Sequence, residues 1–498
     1  MTWGGTQHEP RRDDVMAAHP SPRPGSAIPR GRAGWLLLAA GIIAGAVTAA
    51  VYVYFVRTHA PGWQSDPVDL QVYRQGGESV RHLAPWYLPH VRAPLYSWPG
   101  NFLNFTYPPF AALLFTVVSL PSPTTMDGLA VGVNVLAFLA AIWFTLKGLD
   151  VRRLPVRIGA AALAAAGLFW IEPVQRVLFL GQIELVLLAL ILWDTTQPDR
   201  RWWKGAGIGV AAGIKLWPLI FIPYLLLTRR FRQAAVAAGA FAATVAIGFA
   251  VLPADSDRWW LGGLFVKGDR TGFIAWAGNQ SLRGLITRFG GSSAAVTAAW
   301  LVVAVLTAVI GLLCAAVLDR HGQRMLGVLT CALTALLISP ISWDHHWVWV
   351  VPAVILAAVY GVRAIRRPAG WAALGLAALV GLIFGAWPER LWGELHDPGA
   401  YSRGLIWAPP NTNPIIYARR GDRRWFAEYH WHGLQLIVGN LYVLTGLALL
   451  GLLVIIAIRA ARSPAGPGAA GHSGPAGAGE HGRASAQTRD ARLATPEA

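Results

Sequence analysis

The sequence predicts an all-α polytopic membrane protein with about 11–13 transmembrane or re-entrant helices, a full span needing roughly 20 apolar residues. Three observations carry that prediction. Of 498 residues, 55% are hydrophobic and only 13% charged, too few charges to cover a water-facing surface. The apolar residues come in blocks rather than in strand-like alternation. The lysines and arginines gather in short clusters between those blocks, so the net charge of +17 reports topology and not nucleic-acid binding. The two cysteines, Cys314 and Cys331, lie inside apolar blocks, which excludes a disulfide framework or a cysteine-rich metal centre.

Residues 1–33 are rich in Pro, Arg and Gly and read as a disordered cytoplasmic tail. The first apolar block, 34–56, is long enough to span and follows a polar stretch too long for a cleavable leader, so it reads as a retained first helix. Further blocks follow at 108–120, 128–146, 157–171, 183–193, 205–228, 233–252, 294–318, 325–341, 347–362, 370–387 and 433–458. Several are too short to cross alone. Residues 459–498 complete the chain as a second disordered cytoplasmic tail, which leaves one transmembrane domain, 34–458.

Basic clusters occur around Arg30, Arg152, Arg201, Arg230, Arg324, Arg366 and Arg459. All can be cytoplasmic under two conditions. One short block within 108–146 must re-enter or tilt, and "KGAGIGVAAGIKLWPLIFIPYLLLTRR" must form a hairpin of half-helices turning near Lys215 to Pro218. Broken helices survive at membrane depth where protein or a water-filled cavity satisfies their freed backbone groups. The loops 57–106, 172–182, 253–293, 342–346 and 388–432 then face outward, and with them any active site.

Those loops hold the residues able to do chemistry. In "SDPVDLQVYRQGGESV", Asp66 and Asp69 are wet carboxylates able to take a proton, with a helix N-cap as the alternative role. Tyr107 sits beside paired prolines at the mouth of an apolar block, where an interfacial anchor is the plain reading. "FWIEPVQRVLFLGQIELVLLAL" places Glu172, Arg176, Gln182 and Glu184 in or beside membrane sequence, where polar groups mark a cavity. The four-residue spacing of Glu172 and Arg176 also suits a helix ion pair. Lys215 either snorkels to the cytoplasmic surface or reaches an anion from the hairpin tip.

Asn279 and Gln280, in "WAGNQSLRG", suit hydrogen bonding to sugar hydroxyls or to backbone. In "SWDHHWVW", His345 and His346 lack metal-binding spacing with any nearby acid or histidine, so no metal is expected. Imidazoles at an outer interface can instead donate to a phosphate, with Asp344 orienting one of them. The segment 388–432 mixes Trp, Tyr and Arg, and suits either sugar and headgroup contacts or an interfacial cap.

In this order, "DLQVYRQGG" (69–77), "FTYPPFAALLF" (105–115), "LGQIELVLLAL" (180–190), "GIGVAAGIKLWPLIFIPYLLL" (207–227), "NQSLRG" (279–284) and "SPISWDHHWVW" (339–349) resemble the actinobacterial polyprenol-phosphate-sugar-dependent glycosyltransferase family 87. That family has the multispanning GT-C fold, and the resemblance spans roughly residues 34–458. It implies a cell-membrane enzyme whose extracytoplasmic acceptor hydroxyl attacks the anomeric carbon of a lipid-phosphate sugar with inversion. By motif position the base is Asp69, with Asp66 in reserve. Lys215, His345 and His346 fall to the donor phosphate, and Tyr73, Tyr107, Gln182, Asn279 and Gln280 to the sugars. One departure stands out: where the family often shows Asn after "GQ-x", this chain has Glu184.

The expected donor is polyprenyl-phosphate mannose and the expected acceptor a mannosylated glycolipid or lipoglycan, joined by α-1,2 linkages among membrane lipids without a cofactor. An arabinofuranosyltransferase using decaprenyl-phosphate arabinose is the alternative within the resemblance. A lipid or solute transporter is the alternative of another class, although transporters usually show internal repeats and none is visible here.

Overall fold

The computed structural model describes residues 1, 32–58, 67–81, 94–97, 104–387, 404–410 and 427–462. Asp66, most of the 388–432 segment and nearly all of both expected tails lie outside them. The first helix, Arg32–Thr58, and the last, Leu441–Arg462, are single apolar rods, so the boundary expected at 458 falls inside a helix.

The described chain is helical, its only strand-like pairings being isolated bridges. Six of its helices are long and apolar enough to cross a membrane. The pair Glu172–Leu180 and Glu184–Thr195, bent by 118°, supplies a seventh span if taken together, and four shorter apolar helices complete the bundle. This is an all-α, multi-pass membrane protein. Ala294–Arg320 exposes Leu301, Val302, Val305, Leu306 and Val309 along its length. Such a stripe is untenable in water and natural against lipid.

Basic residues from several of the sequence clusters within the described residues meet at one end of the bundle. There Arg230 grips Asp319 with both guanidinium arms, and Arg324 and Lys204 both hold Asp199 at 2.9 Å. Burial alone would raise the Asp199 carboxyl, but Arg324 and Lys204 hold it well below the usual carboxylate range. Arg363 reaches the Leu149 carbonyl at 2.6 Å, and Ala457 of the last helix packs on Leu318.

The hairpin expected at 205–228 starts and ends here. Ala206–Ile214 rises for nine residues, about 13 Å and roughly half a bilayer core. The chain then breaks at Lys215, which has extended backbone (φ −144°, ψ 132°), and returns through Trp217–Ile220 and Phe221–Leu227. Lys215 is therefore carried to the tip, about mid-depth, and does not snorkel back. The other short element is Pro109–Phe115, only seven residues long, which a turn separates from the full span Pro123–Gly148.

Beyond the opposite end, the short helix Pro253–Ser256 buries Asp255, whose carboxylate accepts the Leu95 N–H at 3.1 Å. Burial pushes this carboxyl up to about 6. Between about pH 4 and that value the folded protein keeps a proton that the unfolded chain has already released. The stabilisation is therefore complete below about pH 4 and is lost as pH rises through about 6. Asp255→Asn should flatten this part of the profile, read as melting temperature in detergent between pH 4 and 7. An unchanged slope in the variant would rule the assignment out.

Candidate active site

Above the hairpin tip lies a cavity of about 750 Å³, within the range of small-molecule sites. Four structural pieces bring its polar groups together.

The first is the amphipathic helix Val68–Arg81, with Asp69 in its first turn. Its glycines let it lie flat against the next segment: a Cβ at Gly77 would collide with the Phe115 carbonyl, and one at Gly76 with the Phe105 ring. Asp69 lines the cavity and, among the described residues, its carboxylate makes no hydrogen bond or ion pair. Tyr73, one turn on, is buried; it donates to Gln182 Oε1 at 2.6 Å and its hydroxyl lies 3.0 Å from that of Tyr107. Tyr107 and Gln182 line the cavity, so Tyr73 acts behind them by holding both.

The second piece is the bend between Glu172–Leu180 and Glu184–Thr195. Gly181 caps the first helix in the left-handed region (φ 68°), which a glycine adopts without strain. The turn swings Gln182 toward Tyr73 and starts the next helix at Glu184, which is 1% exposed. Glu184 is not a solvated helix-start acid: its Oε1 binds the Lys215 ammonium directly and lies 3.3 Å from His346 Nε2.

The hairpin tip is the third piece. Lys215 Nζ lies 3.2 Å from His346 Nε2 and 5.4 Å from the centre of the Tyr107 ring. Cation, imidazole and aromatic face therefore converge from three remote stretches of chain.

The fourth is the 3₁₀ turn Asp344–Trp349. The His345 and His346 rings meet edge to face at 4.7 Å, and both line the cavity. Asp344 lies 3.1 Å from His345 Nδ1 and accepts the His345 N–H at 2.8 Å, so the imidazole is oriented as its sequence position suggested. Arg176 lies 3.4 Å from the other Asp344 oxygen and does not form the helical ion pair with Glu172 that the spacing allowed. Glu172 instead accepts the Tyr442 hydroxyl at 3.0 Å.

Asn279 and Gln280 are not among the residues that line the cavity. Both are fully buried, and their amides are spent on backbone. Asn279 donates to the Ile274 carbonyl at 2.9 Å and accepts the Ser342 N–H at 3.0 Å; Gln280 donates to Ala277 and Gly439 carbonyls. The Gln280 N–H reaches the Ser342 carbonyl and the Asp344 N–H the Gly278 carbonyl. This segment thus clamps the strand of chain that carries the histidines.

Glu184, His345 and His346 bring one ligand atom each within 4.8 Å of one another, a grouping that could hold a metal ion and that spacing along the chain does not reveal. The Lys215 ammonium already lies against two of the three donors, so carboxylate and imidazole have a cation of the protein's own. Sequence reasoning also passed over the cavity's aromatic lining, Trp217, Trp259, Trp276, Trp343 and Trp407, and its basic residues Lys267 and Arg270. Their signal was present, as tryptophans in loops between apolar blocks and, for Trp217, at the expected turn of the hairpin, but tryptophan is expected at any membrane interface.

The model of the family described as glycosyltransferase family 87 matches residues 105–340. The chain is 36% identical over 382 residues to a polyprenol-phosphate-mannose-dependent alpha-(1-2)-phosphatidylinositol pentamannoside mannosyltransferase of Mycobacterium tuberculosis (strain CDC 1551 / Oshkosh), covering 76% of this chain and 81% of that one. It is 31% identical over 377 residues to a polyprenol-phosphate-mannose-dependent alpha-(1-2)-phosphatidylinositol mannoside mannosyltransferase of Mycobacterium tuberculosis (strain ATCC 25618 / H37Rv), covering 73% and 85%. A pentamannoside mannosyltransferase of Mycolicibacterium smegmatis (strain ATCC 700084 / mc(2)155) is 33% identical over 394 residues, covering 76% and 85%. No solved structure matches. Relatives 31–36% identical over about three quarters of this chain and more than four fifths of their own length, together with the family model, are decisive: the chain belongs to glycosyltransferase family 87.

Proposed function

We propose that this chain transfers mannose from polyprenyl-phosphate mannose to a mannosylated phosphatidylinositol acceptor, forming an α-1,2 linkage with inversion on the outer face of the plasma membrane. The observation that carries the reading is one cavity lined both by an unpaired carboxylate, Asp69, and by a fixed cationic group, Lys215 with His346. The acceptor hydroxyl loses its proton to Asp69 as its oxygen bonds to the anomeric carbon. The carbon–oxygen bond to phosphate breaks, and its electron pair leaves on the phosphate, which goes from monoanionic diester to dianionic monoester. Lys215 and the two histidines receive that charge, so the leaving group needs no acid.

The outer face is supported by charge. Basic residues from several clusters meet at the end of the bundle from which the hairpin rises, and the cavity lies beyond its tip. The relatives, named as polyprenol-phosphate-mannose-dependent mannosyltransferases, favour mannose over arabinofuranose. Family membership sets the transporter alternative aside.

The test gives purified protein in proteoliposomes labelled polyprenyl-phosphate mannose or polyprenyl-phosphate arabinose, with a phosphatidylinositol mannoside as acceptor. Transfer is expected from the mannose donor, and a chelator in the buffer should leave the rate unchanged. Transfer from the arabinose donor alone would reverse the donor assignment, and transfer from neither would end the reading.

A further inference from the structure

One wall of the cavity takes no part in the transfer step. Trp276, Trp343 and Trp407 line it and pack edge to face, the Trp276 ring centre lying 5.5 Å from that of Trp343 and 5.4 Å from that of Trp407. Two glycines let the rings lie against backbone: a Cβ at Gly272 would stand 2.9 Å from the Trp343 ring, and one at Gly278 would stand 3.1 Å from that of Trp407. Trp407 is buried, whereas Trp276 and Trp343 keep part of their surface open.

Arg176 borders these rings. Its guanidinium carbon lies 5.7 Å from the centre of the Trp407 ring and 5.6 Å from that of Phe179, and its Nε faces Asp344. Its two terminal nitrogens make no hydrogen bond among the described residues, so a planar fork of donors stays available beside the aromatic rings. Asp344 and, behind it, Glu172 offset the charge of Arg176, so this wall suits a neutral ligand better than an anion. A sugar ring matches both parts: its C–H face packs on indole, and adjacent hydroxyls accept from the fork.

The reacting groups lie elsewhere in the cavity. Asp69 is within electrostatic reach of Tyr107 and Lys215, and Lys215 meets His346. Between that centre and the tryptophans stand His345, Asp344 and Arg176, each against the next. The donor brings a single sugar, which the reacting centre must hold, so the tryptophan wall is left to the acceptor. We infer that Trp276, Trp343 and Arg176 form a subsite for a second acceptor sugar, the one preceding the mannose that is extended, and so select acceptors carrying at least two sugars. The inference rests on the mannosyl transfer proposed above and adds the length of acceptor glycan that is read.

The experiment uses proteoliposomes, polyprenyl-phosphate mannose and neutral acceptors: octyl α-mannoside with one sugar, and octyl α-1,2- and α-1,6-dimannosides with two. The wild type should prefer at least one dimannoside over octyl α-mannoside by about tenfold or more in kcat/KM. Trp343→Ala should abolish most of that preference through a raised KM for the dimannoside, with the donor KM within about twofold of wild type. Trp343→Tyr, which keeps a flat aromatic face, should restore most of it; Trp343→Leu, which keeps only apolar bulk, should not. A wild type without the preference, an alanine or leucine variant that retains it, or equal losses on one-sugar and two-sugar acceptors would overturn the inference. A raised donor KM would give the wall to the donor and overturn it too. In each of these cases the wild type still transfers mannose to a phosphatidylinositol mannoside; loss of that transfer would overturn the parent reading itself.

Discussion

Asp69→Asn lowers kcat for transfer by about 10²- to 10⁴-fold, the range that a positioned general base supplies. The KM values for donor and acceptor should change little, because the amide keeps the shape of the carboxylate and loses only its ability to take a proton. The fold should also persist. The Asp69 carboxylate makes no hydrogen bond or ion pair among the described residues, so no buried partner is abandoned. Asparagine is tolerated at the start of a helix as well as aspartate is. Initial rates and a melting curve on the same preparation separate the two effects. Near-normal turnover in Asp69→Asn would remove it as the base, and loss of turnover in Asp66→Asn alone would pass the role to that residue.

Lys215→Gln should be costly in a different way. Glu184, 1% exposed, would be left buried without its ammonium partner, and breaking such a pair from one side costs about 3–5 kcal/mol. The single variant is expected to melt early or to purify poorly. Adding Glu184→Gln removes the stranded charge and should recover most of the stability. Activity should not follow: with no cation at the hairpin tip, kcat for the mannosyl donor should stay down by about 10²- to 10³-fold, as when one group stabilising a developing anion is lost. Melting curves and transfer rates on the two single variants and the double variant close the cycle. A double variant that is stable and fully active would show that Lys215 serves the fold alone.

Much of the architecture was readable from the chain because charge and length constrain membrane segments so strongly. The half-helix hairpin follows from two clusters of cations that flank one apolar stretch and belong on the same side of the membrane, and from Lys215 within it, too polar for lipid. The motif "DLQVYRQGG" announced a helix with a carboxylate at its start, and its glycines meet the Phe115 segment. What stayed hidden were partnerships between remote segments. Arg176 had a helical partner by spacing in Glu172, yet Asp344 takes it, and Tyr442 takes Glu172. Asn279 and Gln280 carry groups that suit sugar and backbone equally well, and only the clamp on Ser342 separates the two uses. Metal-site spacing rules compare residues along one element, whereas Glu184 and the two histidines come from different ones. Glu184, which its sequence position marked only as a polar group beside membrane sequence, is the ion-pair partner of Lys215.

The most direct test of the transfer reaction is the structure of its product. Purified protein would convert polyprenyl-phosphate mannose and a phosphatidylinositol mannoside acceptor, and the product would be characterised by NMR. The account predicts one new mannose on O2 of the acceptor's terminal mannose, with anomeric configuration opposite to that in the donor, and one polyprenyl phosphate released per linkage formed. A product with retained configuration, or a linkage to another hydroxyl, would contradict it.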